Sequence, residues 1–181
     1  MQLNSIYTIG HSTRAIEEFI GLLRHHDVTR LADIRRYPGS RRYPHFSRDS
    51  LEVSLPAAGI EYEHFEDLGG RRQPAKSSPN GAWRNDQFRG YADHMATPAF
   101  QAAVDRLLAS ERRTTVMCAE AVPWRCHRNL LADELVRRGV TVLHIFDTGA
   151  PQPHVLSSMA RIDGDRVIYP PEQQTIDFGA L

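Results

Sequence analysis

The chain has 181 residues, enough for one domain with a sizeable core, and 41% apolar against 24% charged residues is the balance of an ordinary globular protein. Its formal charge is zero, which excludes a global basic field of the kind that drives non-specific nucleic-acid binding. No apolar run approaches the roughly 20 residues of a membrane span, and MQLNSIYTIG has neither the basic nor the long apolar region of a secretory signal, so we expect a cytoplasmic protein with no membrane partner.

SIYTIGHS is a β-branched and apolar run that ends in Gly-His-Ser, a strand entering a loop. In TRAIEEFIGLLRHHDV the residues Ile16, Phe19, Ile20 and Leu23 recur at helical spacing, with Thr13 expected as the N-cap. VTRLADIR is a second strand ending at Asp33. The polar stretch that follows, RRYPGSRRYPHFSRDS, is too long for a plain connection, and loops of that length tend to be functional. SRDSLEVSLPAAG reads as a helix ended by Gly59, and IEYEHFE as a strand. Residues 68–87 form a second long loop, rich in Gly, Pro and Ser. FRGYADHM and PAFQAAVDRLLAS are helices, RTTVMCA a strand, RNLLADELVRRG a helix with Gly139 at C′, and VTVLHIF a strand.

Strands alternating with helices imply a three-layer α/β domain, a mostly parallel sheet with helices on both faces. In the tail, ARIDGDRVIYP has Asp-Gly in mid-run and reads as a β-hairpin. We expect one domain over residues 1–181, with its core at about 4–146 and a tail with the hairpin over 147–181.

Ligands of open α/β sheets bind beyond the carboxyl ends of the strands. His11 and Ser12 follow the first strand, Asp33 and Arg35 end the second, Arg71 follows the third, and Cys118 and Glu120 end the fourth. Both long loops leave from that same edge. Only Lys76 among the 22 basic residues is lysine, and the arginine doublets 35–36, 41–42 and 71–72 are clustered. A GC-rich genome explains an arginine excess, but arginine is also the side chain that forks onto phosphates. MCAEAVPWRCHR packs two cysteines, Glu120, Trp124, His127 and Arg128 into twelve positions, with Cys126, His127 and Arg128 at a helix N-terminus.

YTIGHS, DIR, SRR, LGGRR, FRGYADHM and above all MCAEAVPWRCHR resemble the domain of unknown function 488 family, from Tyr7 to about Ile145. The resemblance implies a compact prokaryotic α/β protein whose motifs mark a shared site. It implies no reaction.

The residues themselves leave three chemistries open. In the first, Glu120 or Asp33 activates water, His11 or His127 assists as acid or base, and an N-glycosidic or C–N bond of a nucleotide or nucleic-acid base is hydrolysed. Ser12, Arg35, Arg41, Arg42, Arg71 and Arg128 would bind phosphate, and Tyr43 and Trp124 would stack a base. Asp33 with Arg35 as a structural ion pair, and Trp124 as core packing, are the plain alternatives for those residues. In the second, the same cleft is a non-catalytic module for a phosphate-bearing small molecule or nucleic acid. In the third, Cys118, Cys126 and His127 form a thiol or metal site. CAE resembles the ligand-x-Glu of zinc deaminases, but no Pro-Cys-x-x-Cys follows. We expect no cofactor from this pattern, with zinc as the one metal to consider and two packed, reduced cysteines as the alternative. Global charge and cysteine spacing thus separate the first two readings from the third only weakly; the convergence at one strand edge favours the first.

Overall fold

The computed structural model describes residues 5–172. The elements follow in the order β1 (Ser5–Gly10), α1 (Ile16–His25), β2 (Arg30–Asp33), α2 (Arg48–Ala57), β3 (Glu61–His64), α3 (Asp86–Met95), α4 (Pro98–Leu108), β4 (Thr114–Cys118), α5 (Arg128–Arg137), β5 (Thr141–His144), β6 (Gln152–Pro153), β7 (Arg161–Asp163) and β8 (Arg166–Ile168). The main sheet has six strands in the order β3-β2-β4-β1-β5-β6, parallel except for β6. β7 and β8 pair as a separate hairpin whose two-residue turn places Gly164 at φ 61, a conformation that Asp-Gly sequences favour. The chain is therefore an α/β protein with the C-terminal hairpin its sequence implies.

Period-two alternation along the central strands sends side chains to two cores. Ile9, Leu31 and Met117 meet Phe19 and Leu23 of α1 and Leu51 and Leu55 of α2. Ala32, Val116 and Cys118 meet Tyr91 of α3, Phe100 and Leu107 of α4 and Leu130 and Leu131 of α5. A strand buried on both faces has no polar side to show, which is why β4 reads TTVMC with every residue buried.

Two local expectations change. Helix α1 starts at Ile16, and Ala15 rather than Thr13 occupies the cap position. His11 and Ser12 instead prolong the pairing of β1, donating their N–H groups to the carbonyls of Cys118 and Ala119 at 2.9 Å each. Ser12 then turns at φ 51, so residues 11–15 belong to a loop. The short β6 had no sequence signal; its Pro153 lies at a sheet edge, where a missing N–H is tolerated.

A buried polar chain fastens the tail to the core. Asp133 can only accept, and this sets the direction of every bond. Tyr169 donates to Oδ2 at 2.8 Å, and Ser157 N–H and His154 Nε2–H donate to Oδ1 at 2.9 and 2.8 Å. His154 Nδ1 then accepts from His144 Nε2–H at 3.0 Å, and His144 Nδ1 accepts from Thr8 Oγ1–H at 2.6 Å. Burial pushes His144 down to about 4, with His154 and Arg128 adding to the effect.

Because the unfolded chain holds that proton below about pH 6.5 and the folded chain does not, this histidine stabilises the fold fully above 6.5 and progressively less toward 4. Urea unfolding should therefore show stability falling between pH 6.5 and 4, with His144 contributing about 1.4 kcal/mol per pH unit. NMR titration of the imidazole should place its midpoint near 4; an ordinary midpoint would mean the chain of bonds is open to water.

Candidate active site

The site forms where β2, β4 and β1 end side by side. From β1 the chain leaves toward the α1 face, and from the adjacent β4 toward the α5 face. Two neighbouring strands whose connections diverge to opposite faces open a crevice between their loops. Gly10 permits it: a Cβ there would lie 1.8 Å from the Glu120 carbonyl oxygen, so only glycine lets the two loops cross. Gly70 is a second steric slot, where a Cβ would lie 2.9 Å from Nδ1 of His127. Gly70 thus makes room for the His127 ring, and Gly69 for Arg36, whose Cα would lie 2.6 Å from a Cβ there.

The cleft has a volume of about 810 Å³, within the usual range for small-molecule sites. Its wall includes His11, Ser12, Arg35, Arg42, Tyr43, Arg71, Glu120, Cys118, Cys126 and His127 of the residues singled out from sequence. It also includes Arg36, Tyr37 and Arg125, and Asn85, Gln87 and Phe88 at the start of α3. Arg36 and Arg125 had a sequence signal, Arg36 as the partner of Arg35 in a doublet and Arg125 as a member of MCAEAVPWRCHR. Phe88 opens the FRGYADHM motif, but nothing local to the sequence placed that helix end at the cleft, because the long loop 68–87 brings it there.

Electrostatically the wall is lopsided. Five arginines line it, and among the described residues only Arg35 has a carboxylate partner. Arg36 and Arg71 lie over the Tyr37 ring, 5.4 and 6.0 Å from its centroid, and Arg42 lies 5.6 Å from that of Tyr43. Glu120 is the one carboxylate residue in the lining; it is exposed, and its carboxylate makes no hydrogen bond or ion pair among the described residues.

Asp33 is fully buried and outside the lining. Its Oδ1 accepts from Arg35 N–H and Nε at 3.1 and 2.9 Å, and its Oδ2 from Arg35 Nη2 and Tyr62 Oη at 2.6 and 2.7 Å. The pair is the structural one: Asp33 aims Arg35, and its oxygens are already engaged. The proximity of Asp33 raises Tyr62 far above the phenol range, after burial itself.

His11 is 4% exposed and stacks on Phe46, ring centroids 4.3 Å apart. Burial pushes it down to about 4, so it is neutral at pH 7. Its Nδ1 donates to the Ser12 carbonyl at 2.9 Å, which leaves Nε2 as an acceptor. His127 is oriented in the opposite sense. Nε2–H donates to the Ile34 carbonyl at 2.9 Å, and Nδ1 is the acceptor, 3.5 Å from Cys126 Sγ. Burial lowers this histidine as well.

Three expected residues lie elsewhere. Arg41 is exposed and outside the lining. Trp124 is 63% exposed, its ring 6.4 Å from that of Phe146, neither in the core nor in the cleft. Arg128 begins α5 but folds inward to 1% exposure instead of pointing into the cleft. Cys118 and Cys126 are free and buried, with their sulfurs 2.6 Å apart. Two thiolates on one zinc at about 2.3 Å each would stand roughly 3.8 Å apart, so this spacing does not suit a shared metal. Among the described residues no group of three His, Cys, Asp or Glu is arranged to hold a metal ion.

Among the described residues, no helix is long and apolar enough to cross a membrane. Comparison with curated proteins and with solved structures gave no match. A family model does match residues 15–135, more than half of the chain and the whole stretch from α1 to the MCAEAVPWRCHR corner and most of α5; its description is "Domain of unknown function DUF488". By that match, and by the motifs that build this cleft, the chain belongs to the DUF488 family.

Proposed function

We propose that the protein is a hydrolase acting on an N-glycosidic or C–N bond of a nucleotide or nucleic-acid base. The observation that carries this reading is the pairing of opposites in one cleft: four arginines without carboxylate partners, Arg36, Arg42, Arg71 and Arg125, around one unengaged carboxylate, Glu120. Cations left free at the wall suit a ligand that brings its own negative charge, and a guanidinium fork matches phosphate oxygens. The aromatic faces of Tyr37 and Tyr43 lie within the same arginine cluster and suit a base.

In this reading Glu120 takes the proton from the attacking water. His11 is neutral and presents Nε2 as an acceptor, so it orients the water or a ligand hydroxyl rather than supplying a proton. Arg35, fixed by Asp33, is the pre-aimed member of the phosphate clamp. Asp33 itself is a positioning residue, and a two-carboxylate mechanism is not part of the proposal.

The test is release of free base or ammonia from a panel of nucleoside phosphates and single-stranded oligonucleotides, alongside binding of a fluorescein-labelled oligonucleotide. Glu120→Gln should keep the fold and the binding while losing at least about a hundredfold in turnover. No turnover by the wild-type chain on any of the panel, with binding intact, would favour the non-catalytic module instead.

Arg42→Ala should weaken oligonucleotide binding by about tenfold at low salt and by less at high salt, since a charge-assisted contact is lost and salt screens what remains. Affinity indifferent to both the substitution and the salt would remove the arginines from the ligand site.

A further inference from the structure

Cys118 and Cys126 are the only cysteines of the chain, and the function proposed above uses neither. Both border the cleft, although Cys118 is 1% and Cys126 5% exposed. Cys118 ends β4 and Cys126 lies two residues before α5, so the corner folds back and brings their sulfurs to 2.6 Å.

A second observation concerns Arg128, whose backbone N–H donates to Cys126 Sγ at 3.4 Å. The Arg128 guanidinium is buried, and its Nη2 donates to the Ala121 carbonyl at 3.3 Å. Its Nε and Nη1 are also buried and have no hydrogen-bond partner among the described residues. Arginine does not lose its proton in proteins, so the site holds a buried cation that calls for an anion.

The ionisable groups around Cys126 and Arg128 narrow the choice. Cys118 comes from β4, Glu120 from the turn, His127 from α5, Tyr91 from α3 and His144 from β5. Burial keeps the Cys118 thiol and the Tyr91 phenol protonated and the two imidazoles neutral. Glu120 is exposed to water. Cys126 differs from all of these. Burial opposes its ionisation, yet the Cys118 S–H, the Arg128 charge and the Arg128 N–H at 3.4 Å together bring its thiol below the usual range.

We propose that Cys126 and Cys118 form a peroxide-reactive dithiol that closes to a disulfide in the floor of the cleft, with Cys126 as the attacking sulfur. The Cys126 sulfur attacks one oxygen of hydrogen peroxide. An S–O bond forms, the O–O bond breaks, and the leaving hydroxide departs with the Cys126 proton as water. Cys118 then attacks the sulfenic sulfur. The S–S bond forms, the S–O bond breaks, and hydroxide leaves with the Cys118 proton as a second water. Two thiols are oxidised and one peroxide is reduced. Hydrogen peroxide is the oxidant of the proposal because it is small enough for a residue that is 5% exposed.

The experiment needs no substrate, so its outcome is separate from that of the nucleotide reading. The wild-type chain is treated with hydrogen peroxide and digested without reductant. Loss of both titratable thiols and recovery of a linked Cys118–Cys126 peptide pair are expected. In Cys118→Ser, dimedone should capture a sulfenic acid on Cys126. That variant buries a hydroxyl and can unfold the chain, so a measurement on the wild type stands beside it. Alkylation of Cys126 by iodoacetamide, followed by peptide mass against pH, should have its midpoint below the free-thiol value of about 8.5. Two thiols that survive peroxide, a first modification on Cys118, or a midpoint at or above the free-thiol value would each overturn the proposal.

Discussion

The site depends on one close crossing of backbone. β1 and β4 run parallel in the middle of the sheet, and their pairing continues for two residues past the strands through the N–H groups of His11 and Ser12. Gly10 then lies so close to the Glu120 carbonyl that no other residue fits. Because the two chains separate to opposite faces only after this crossing, His11, Cys118 and Glu120 emerge within one crevice. A side chain at Gly10 would push the β4 loop away and take with it the Glu120 carboxylate and the sulfur of Cys126.

The arginines fall into two groups. Some are matched to specific acceptors. Asp33 grips Arg35 through both oxygens with Tyr62 as a further donor, and Glu134 holds Arg137 and Arg138. At the wall, arginines are propped on tyrosine rings without anions. Taking an arginine out of water is costly unless it is paired, whereas an arginine at a water-filled wall keeps its hydration. The unmatched cations therefore collect where a ligand can replace water. Arg128 is buried with its Nε and Nη1 unmatched among the described residues.

The histidines show how little a residue type says without its surroundings. His11, His127 and His144 are all lowered by burial, and each has one ring nitrogen committed to a fixed partner. Their free or accepting nitrogens differ, and with them their chemistry. His11 offers Nε2, His127 offers Nδ1 to a thiol, and His144 passes a hydrogen bond along to the tail. These assignments follow from carbonyls and a carboxylate that can only accept.

Much was legible from residue order alone. Hydrophobic periodicity implied the alternation of strands and helices, and Asp-Gly implied the hairpin, because these are local properties of backbone and side chain. The rule that ligands collect at strand C-termini then placed His11, Arg35, Glu120 and His127 at one edge, where the structure has them. What order alone did not decide was direction. Asp33 and Glu120 both end neighbouring strands, yet one is consumed by Arg35 and Tyr62 and the other is free. Arg128 and Arg125 flank the same turn, yet one is buried and the other lines the cleft. Trp124, in the middle of the motif, faces solvent. The sequence by itself determined which residues reach the edge of the sheet, because periodicity and strand ends are set within a few residues. Only the tertiary structure decided which of them face the cleft, because that depends on partners tens of residues away, such as Tyr62 for Asp33 and Gly70 for His127.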